Sequence, residues 1–309
     1  MGTGLVIKTT GSWHNVQDGL SIINCKVKGT YRKEGFKTTN PVAVGDRVDY
    51  ESQDGATGWI TKIHPRKNYI IRKASKLSKE AQVLAANIDQ ALLVITLTYP
   101  ETPLEFIDRF LVTAEAYHIT AKLVFNKTDL YNENVNEILN TTISVYSKIG
   151  YECFKVSALS GKNLDLLKSC MQNKISLIAG NSGVGKTSLI NCIQPGLNLK
   201  VNEVSSYHKT GKHTTTFSEM FKLSLGSYII DSPGIKGFGV IDFEKTEIGL
   251  FFPEIFKTST DCQYYNCTHT HEPNCAVKNA VESGEIAMSR YRSYVNIISD
   301  DNEKYRNAD

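Results

Sequence analysis

Eight consecutive residues, Gly180, Asn181, Ser182, Gly183, Val184, Gly185, Lys186 and Thr187, match the pattern G-x-x-x-x-G-K-[ST]. Glycines in such a run let the backbone curl until its N–H groups point at phosphate oxygens, and a following helix N-terminus adds positive potential. The pattern carries that chemistry only between a buried strand and a helix. Here the apolar Ile175–Ala179 precedes it, and 188–193, opening at Ser188, reads as helix. In that setting Lys186 reaches the β- and γ-phosphates of a nucleoside triphosphate, and the Thr187 hydroxyl ligates Mg2+. Asp231 and Gly234 frame a D-x-x-G element at the end of another apolar run. Asp231 would complete the magnesium shell, and the Gly234 N–H would sense the γ-phosphate.

Asn126, Lys127, Thr128 and Asp129 form N-K-x-D after the apolar run 121–125. A carboxylate at Asp129 can accept from guanine N1–H and its 2-amino group, whereas adenine would leave it desolvated and unpaired. The Lys127 stem can lie over the base while Asn126 ties neighbouring loops together. Ser157 and Ala158 end the run 152–156 and offer a backbone N–H to the guanine 6-oxo group. The order of these elements is unusual. The guanine elements precede the phosphate loop and Asp231 comes last, which points to circular permutation: the site is kept while the termini move.

Between the phosphate loop and Asp231 lie His213, Thr214, Thr215 and Thr216. Thr215 is the preferred magnesium ligand of the triphosphate state, with its two Thr neighbours as alternatives. Ile235 follows Gly234 and cannot orient an attacking water, so unaided hydrolysis should be slow. His213 is the nearest residue that could position the water; a structural or phosphate-contacting role is the competing reading.

Of seven cysteines, Cys262, Cys267 and Cys275 cluster with His269 as C-x4-C-x-H-x5-C. Without a readable export signal, such a cluster reads as metal binding rather than as a disulfide framework. Three thiolates and one imidazole suit a tetrahedral, structural Zn2+. His271 competes with His269 for the fourth place. The surrounding fragment looks poor in apolar residues, so the metal is expected to organise it.

The elements that must position these groups follow from patterning. Near-continuous apolar runs at 91–97, 121–125, 152–156, Ile175–Ala179 and 227–230 are typical of parallel strands covered on both faces. Helical segments alternate with them; Leu104, Ile107, Leu111 and Ala114 mark one apolar stripe. That is a doubly wound α/β domain. Residues 1–75 instead show short β-branched runs broken by glycine turns, which suits a small OB-type barrel, with an SH3-like barrel as the alternative. Residues 73–82 read as a linker, and 276–299 as a polar helical tail. The expected fold class is multidomain α/β: an OB-like barrel (1–75), a permuted P-loop GTPase domain (76–240) and a zinc-binding helical domain (241–309).

The 309 residues are 41% hydrophobic and 22% charged, which excludes long disorder and a coiled-coil rod. No stretch approaches the ~20 apolar residues of a membrane span, so a soluble, cytoplasmic protein is expected. The net charge of +3 hides an asymmetry: residues 1–75 hold twelve Lys/Arg against six acids. A basic barrel on a mildly acidic remainder suits docking onto a phosphate backbone, though a merely solvated basic surface would look alike.

Taken together, the basic barrel, the permuted motif order, the Lys-His-Thr-Thr-Thr segment and the cysteine cluster resemble the ribosome small-subunit-dependent GTPase A (RsgA) family over nearly the whole chain. The resemblance implies a GTPase (GTP to GDP and phosphate) that binds the immature small ribosomal subunit and its rRNA; a monomer is expected. It further implies late maturation of the subunit, which in turn stimulates hydrolysis, and zinc on Cys262, Cys267, His269 and Cys275. A non-ribosomal GTP switch and a metallochaperone GTPase are the alternatives. The lysine-rich tail of some members is muted here, where the chain ends in residues 302–309.

Overall fold

The computed structural model describes residues 1–28, 41–52, 55–72, 82–197, 219–224, 226–231 and 244–299. His213, Thr214, Thr215, Thr216, Gly234 and most of the 73–82 segment lie outside them.

Five strands open the chain: β1 (Gly2–Thr10), β2 (Trp13–Asp18), β3 (Ser21–Val27), β4 (Arg47–Ser52) and β5 (Thr57–Ile63). They pair in the order β1-β2-β3-β5-β4, and β1 returns to β4 to close the barrel. The β3–β5 pairing is parallel, with Lys26 opposite Trp59. This closure belongs to the OB type and decides against the SH3-like alternative. Alternation sends Val6, Val16, Ile23, Cys25, Val48 and Ile60 inward to a small core.

A two-stranded ribbon, β6 (Tyr69–Arg72) and β7 (Gln82–Ala86), follows the barrel. It leads into the main sheet: β8 (Gln90–Ile95), β9 (Thr120–Phe125), β10 (Glu152–Lys155), β11 (Ile175–Ala179), β12 (Glu219–Lys222) and β13 (Tyr228–Asp231). The strand order is β10-β9-β8-β11-β13-β12, parallel except for β12. Every residue of β8 is buried because both faces are covered. Ala91, Leu93 and Ile95 meet α1 (Leu104–Ala116) and α2 (Glu133–Ile149). Leu92 and Val94 meet α3 (Leu164–Met171) and α4 (Lys186–Ile193). Helix α2 starts where Asn132 accepts from the Val135 N–H and stops at Gly150 in the left-handed region, so both ends are capped.

The barrel is joined to the sheet at the β12 edge, where β1 pairs Lys8 opposite Glu219 and their side chains meet at 2.9 Å. Val44 carries the joint inward, bridging Ala85 and entering the same core as β8 and α1.

The C-terminal region departs from the sequence expectation in two ways. The tail at 276–299 is two helices, α6 (Ala276–Glu282) and α7 (Met288–Ser299), broken at Gly284, whose φ of 76° ends a helix. The region is also not poor in core. Ile248, Phe252, Ile255 (on α5, Pro253–Ser259), Val277, Val281 and Ile297 pack into one buried cluster that includes Val112 of α1. Its apolar stretch at 248–256 is dense in sequence but lies before the cysteine cluster, and the core closes only where that stretch meets α6, α7 and Val112 of the main domain.

Candidate functional site

The carboxyl ends of β8, β9, β10, β11 and β13 converge on one edge of the sheet, where open α/β folds bind ligands. Gly180 to Gly185 form the turn between β11 and α4. A Cβ on Gly180 would fall 2.3 Å from the Val94 carbonyl, and one on Gly185 would fall 2.4 Å from Asn126 Nδ2. Both residues also have positive φ, so only glycine fits the curl. Lys186 Nζ spans the loop, donating to the Gly180 and Asn181 carbonyls at 2.8 Å each. Val184 and Thr187 are buried, whereas Ser182 and Gly183 form the exposed lip and Ser188 lies half-buried on α4.

Asn126 is the keystone of the arrangement. It is 1% exposed; its Nδ2 donates to Val184 O at 2.9 Å, and its Oδ1 accepts from the Ala158 N–H at 3.1 Å. One amide therefore joins its own loop to two others that lie 32 and 58 residues from it in the chain. Thr128 Oγ1 donates to Val156 O at 2.9 Å, and Ser157 Oγ donates to Asp129 Oδ1 at 2.5 Å. Lys127 takes a left-handed conformation, with φ 60°, and sends its ammonium to Tyr99 O. The Asp231 backbone sits beside Ile178, two positions before Gly180.

In the C-terminal region, Cys262, Cys267, His269 and Cys275 present four donor atoms within 4.8 Å of one another. Cys262 Sγ to Cys275 Sγ is 3.9 Å, and the two sulfurs lie 3.6 and 3.4 Å from His269 Nδ1. A tetrahedral zinc with ordinary Zn–S and Zn–N lengths needs about 3.8 and 3.5 Å for those edges. The donor set fits such an ion. His271 lies outside the set, its Nδ1 against Thr270 Oγ1. Burial, with the neighbouring sulfurs adding to it, pushes the Cys267 thiol up to about 12. A divalent cation would supply the charge that lets several sulfurs ionise side by side. Tyr291 donates to the His269 carbonyl at 2.7 Å and Tyr294 to that of Thr268 at 2.8 Å, fixing the ligand turn. Burial alone would raise the Glu272 carboxyl, but the Thr268 hydroxyl and surrounding backbone N–H groups hold it at about 2.

The sequence profile described as RsgA GTPase matches residues 63–241, and the RsgA N-terminal domain profile matches residues 3–60. A Bacteroides thetaiotaomicron protein named small ribosomal subunit biogenesis GTPase RsgA 2 is 56% identical over 307 residues, covering 99% of each chain. A Phocaeicola vulgatus protein named small ribosomal subunit biogenesis GTPase RsgA is 54% identical, again over 99% of each. The chain belongs to the RsgA GTPase family. Among solved structures, Thermotoga maritima YjeQ superposes with a TM-score of 0.81 at 35% identity, covering 96% of this chain and 97% of that one. YloQ, described as a circularly permuted GTPase, gives 0.76 at 30%, with coverage of 96% and 94%.

Two features of this RsgA-family site were not read from the sequence. Tyr131 Oη accepts from the Leu97 N–H at 2.9 Å and donates to Asn126 O at 2.8 Å, so it braces the Asn126 loop against the end of β8. Burial pushes its hydroxyl up and keeps it neutral. The second is a buried ionic hub behind the site. Arg290 on α7 is 1% exposed and donates to Asp108 on α1 at 2.7 Å and to Glu254 on α5 at 2.6 Å. Tyr146 Oη also donates to Asp108 at 2.8 Å. Burial works against the Arg290 charge, but the two carboxylates outweigh it and hold the guanidinium protonated. One of two arginines in a polar helix, Arg290 gives no sign of this in sequence.

Proposed function

We propose that the chain binds GTP at the loop cluster around Asn126, hydrolyses it, and acts in maturation of the small ribosomal subunit, whose binding accelerates turnover. The observation that carries the GTP reading is the Asn126 side chain, which holds the N-K-x-D loop, the phosphate loop and Ala158 together. Asp129 reads the guanine edge, joined by the Ala158 N–H as it turns from Asn126 Oδ1 to the 6-oxo group, and the Lys127 stem covers the base. The N–H groups of Gly180 to Ser188 cradle the phosphates, and Lys186 exchanges its carbonyl partners for the β- and γ-oxygens. Thr187 and Asp231 hold Mg2+, joined by Thr215 in the triphosphate state; the ion neutralises charge on the transferring phosphoryl group. Gly234 senses the γ-phosphate, and His213 positions water in the absence of a glutamine after it.

The ribosomal reading rests on the names of relatives more than 50% identical over almost the full length, and on the basic balance of the barrel. In it, 1–75 contacts rRNA, 76–240 is the GTPase domain and 241–309 is a zinc domain, in a cytoplasmic monomer. No helix among the described residues is long and apolar enough to cross a membrane. Zinc is structural here: four donors fill the tetrahedron, Cys275 and His269 are buried, and release would have to unpack Tyr291 and Tyr294. That disfavours a metallochaperone. GTP turnover measured with and without purified small subunits tests the whole reading. Slow basal turnover should rise at least tenfold with small subunits and not with large ones. No rise, or an equal rise with both, overturns the ribosomal assignment.

A further inference from the structure

The chain holds two tryptophans, and both stand exposed on the outer face of the barrel. Trp13 begins β2 and is 40% exposed; Trp59 lies on β5 and is 49% exposed. Between them runs β3. Its Lys26 is opposite Trp59, and the β2–β3 register places Trp13 beside Lys26. The three side chains therefore form one row across three adjacent strands, spanning about 9–10 Å from indole to indole. Lys26 Nζ sits 4.3 Å from the Trp13 ring centroid, within cation–π range. The next row on the same face is Asn15, Asn24 and Thr57, a band of hydrogen-bonding groups. Glu51, opposite Trp59, is already paired with Lys28 at 2.7 Å.

We propose that the Trp13–Lys26–Trp59 row is a stacking platform for unpaired RNA bases, one base on each indole with the intervening phosphate on Lys26. This rests on the reading of the barrel as the RNA-contacting part. A solvated surface has no reason to align both indoles of the chain, because each exposes apolar area to water. A protein partner would favour an apolar patch, whereas this row has a cation at its centre and amides beside it, within a region whose basic residues outnumber its acids two to one. Stacking needs free base faces, which a duplex hides and a loop or single strand offers.

Because the row contains every tryptophan of the chain, its intrinsic fluorescence reports the platform directly. The full chain is titrated with a 12-nucleotide oligouridylate and with an RNA duplex of equal length. Quenching by the single strand and not by the duplex is expected. Trp13→Ala and Trp59→Ala should each weaken single-strand binding about five- to hundredfold, with Phe at either position restoring most of it. Lys26→Ala should lower the slope of log K against log salt by about 0.7. Equal quenching by duplex, or single-strand affinity unchanged in both Ala variants, overturns the platform. Small-subunit binding by Trp13→Ala/Trp59→Ala separates the remaining cases. If it is lost while the oligonucleotide never quenches, the face meets a protein and the RNA proposal fails. If it is intact and the RNA affinities are unchanged, the platform alone fails. If the unaltered chain binds no subunits, the ribosomal reading fails with it.

Discussion

The loop cluster around Asn126 and the cysteine cluster around His269 are both small polar sites, but they are built in opposite ways. The first collects residues from Leu97 to Asp231 and is held by a parallel sheet buried on both faces, so its geometry exists before any ligand arrives. The second draws all four donors from fourteen residues, in a turn held by Tyr291, Tyr294 and the Glu272 carboxylate, which accepts from the Thr268 and Thr270 N–H groups. Structure precedes the ligand in one and is completed by it in the other. The loop cluster should therefore lose chemistry without losing the fold, and the cysteine cluster the reverse.

The sharpest break of that contrast is Cys267→Ala. Structural zinc binding is worth on the order of 10 kcal/mol or more in isolated modules, so losing one of four ligands should remove the metal and lower the melting temperature by many degrees. Guanine-nucleotide binding should survive wherever the main sheet remains folded. Normal metal content in the variant would remove Cys267 from the ligand set, and unchanged melting would show that the buried cluster of Phe252 and Ile255 suffices alone.

How much of this was legible in sequence follows the same division. Strands β8, β9, β11 and β13 announce themselves because burial on both faces leaves near-continuous apolar runs, and β11 has the same bounds in sequence and structure. Strand β2 escapes notice because only His14 and Val16 face the barrel core and, Trp13 apart, the rest is polar. Strand β12 is four residues long and alternates too briefly to register. Residue types name the loop motifs and the cysteine spacing. They do not name Tyr131, or Arg290 with Asp108, because a contact across 182 residues leaves no local trace. The choice between His269 and His271 was likewise open in the spacing. What separates them in the structure is burial: His269 is buried with Nδ1 against the sulfurs, whereas His271 is exposed.

The Arg290 hub connects the two regions and provides the next test. Arg290→Met keeps volume but strands the Asp108 and Glu254 carboxylates, which for a broken buried pair costs about 3–5 kcal/mol. Melting should fall accordingly, with metal retained. If metal is lost as well, the cysteine cluster depends on the α1–α7 contact more than its local ligand spacing implies. Lys186→Ala acts on the other side of the contrast. It should cut turnover about a hundred- to thousandfold, the scale for removing one preorganised charge donor, with melting nearly unchanged. A large fall in melting would mean that the Gly180 and Asn181 carbonyls need the ammonium to hold the loop.

The smallest effect is the most informative about how the loop cluster is held. Asn126→Ala deletes a donor to Val184 O and an acceptor for the Ala158 N–H, leaving two backbone groups without their partner. Such losses cost about 1–3 kcal/mol, and here they fall on loops that touch different ends of the nucleotide. Affinity for GTP and GDP should therefore drop together, by about ten- to hundredfold, with guanine still preferred over adenine. Asp129→Asn should do the opposite, leaving phosphate contacts intact and moving base preference towards xanthosine nucleotides. Isothermal titration of each variant with GTP, GDP and xanthosine triphosphate separates the two effects. If Asn126→Ala keeps full affinity, the three loops are fixed by the strands alone, and the amide is a consequence of their convergence instead of its cause.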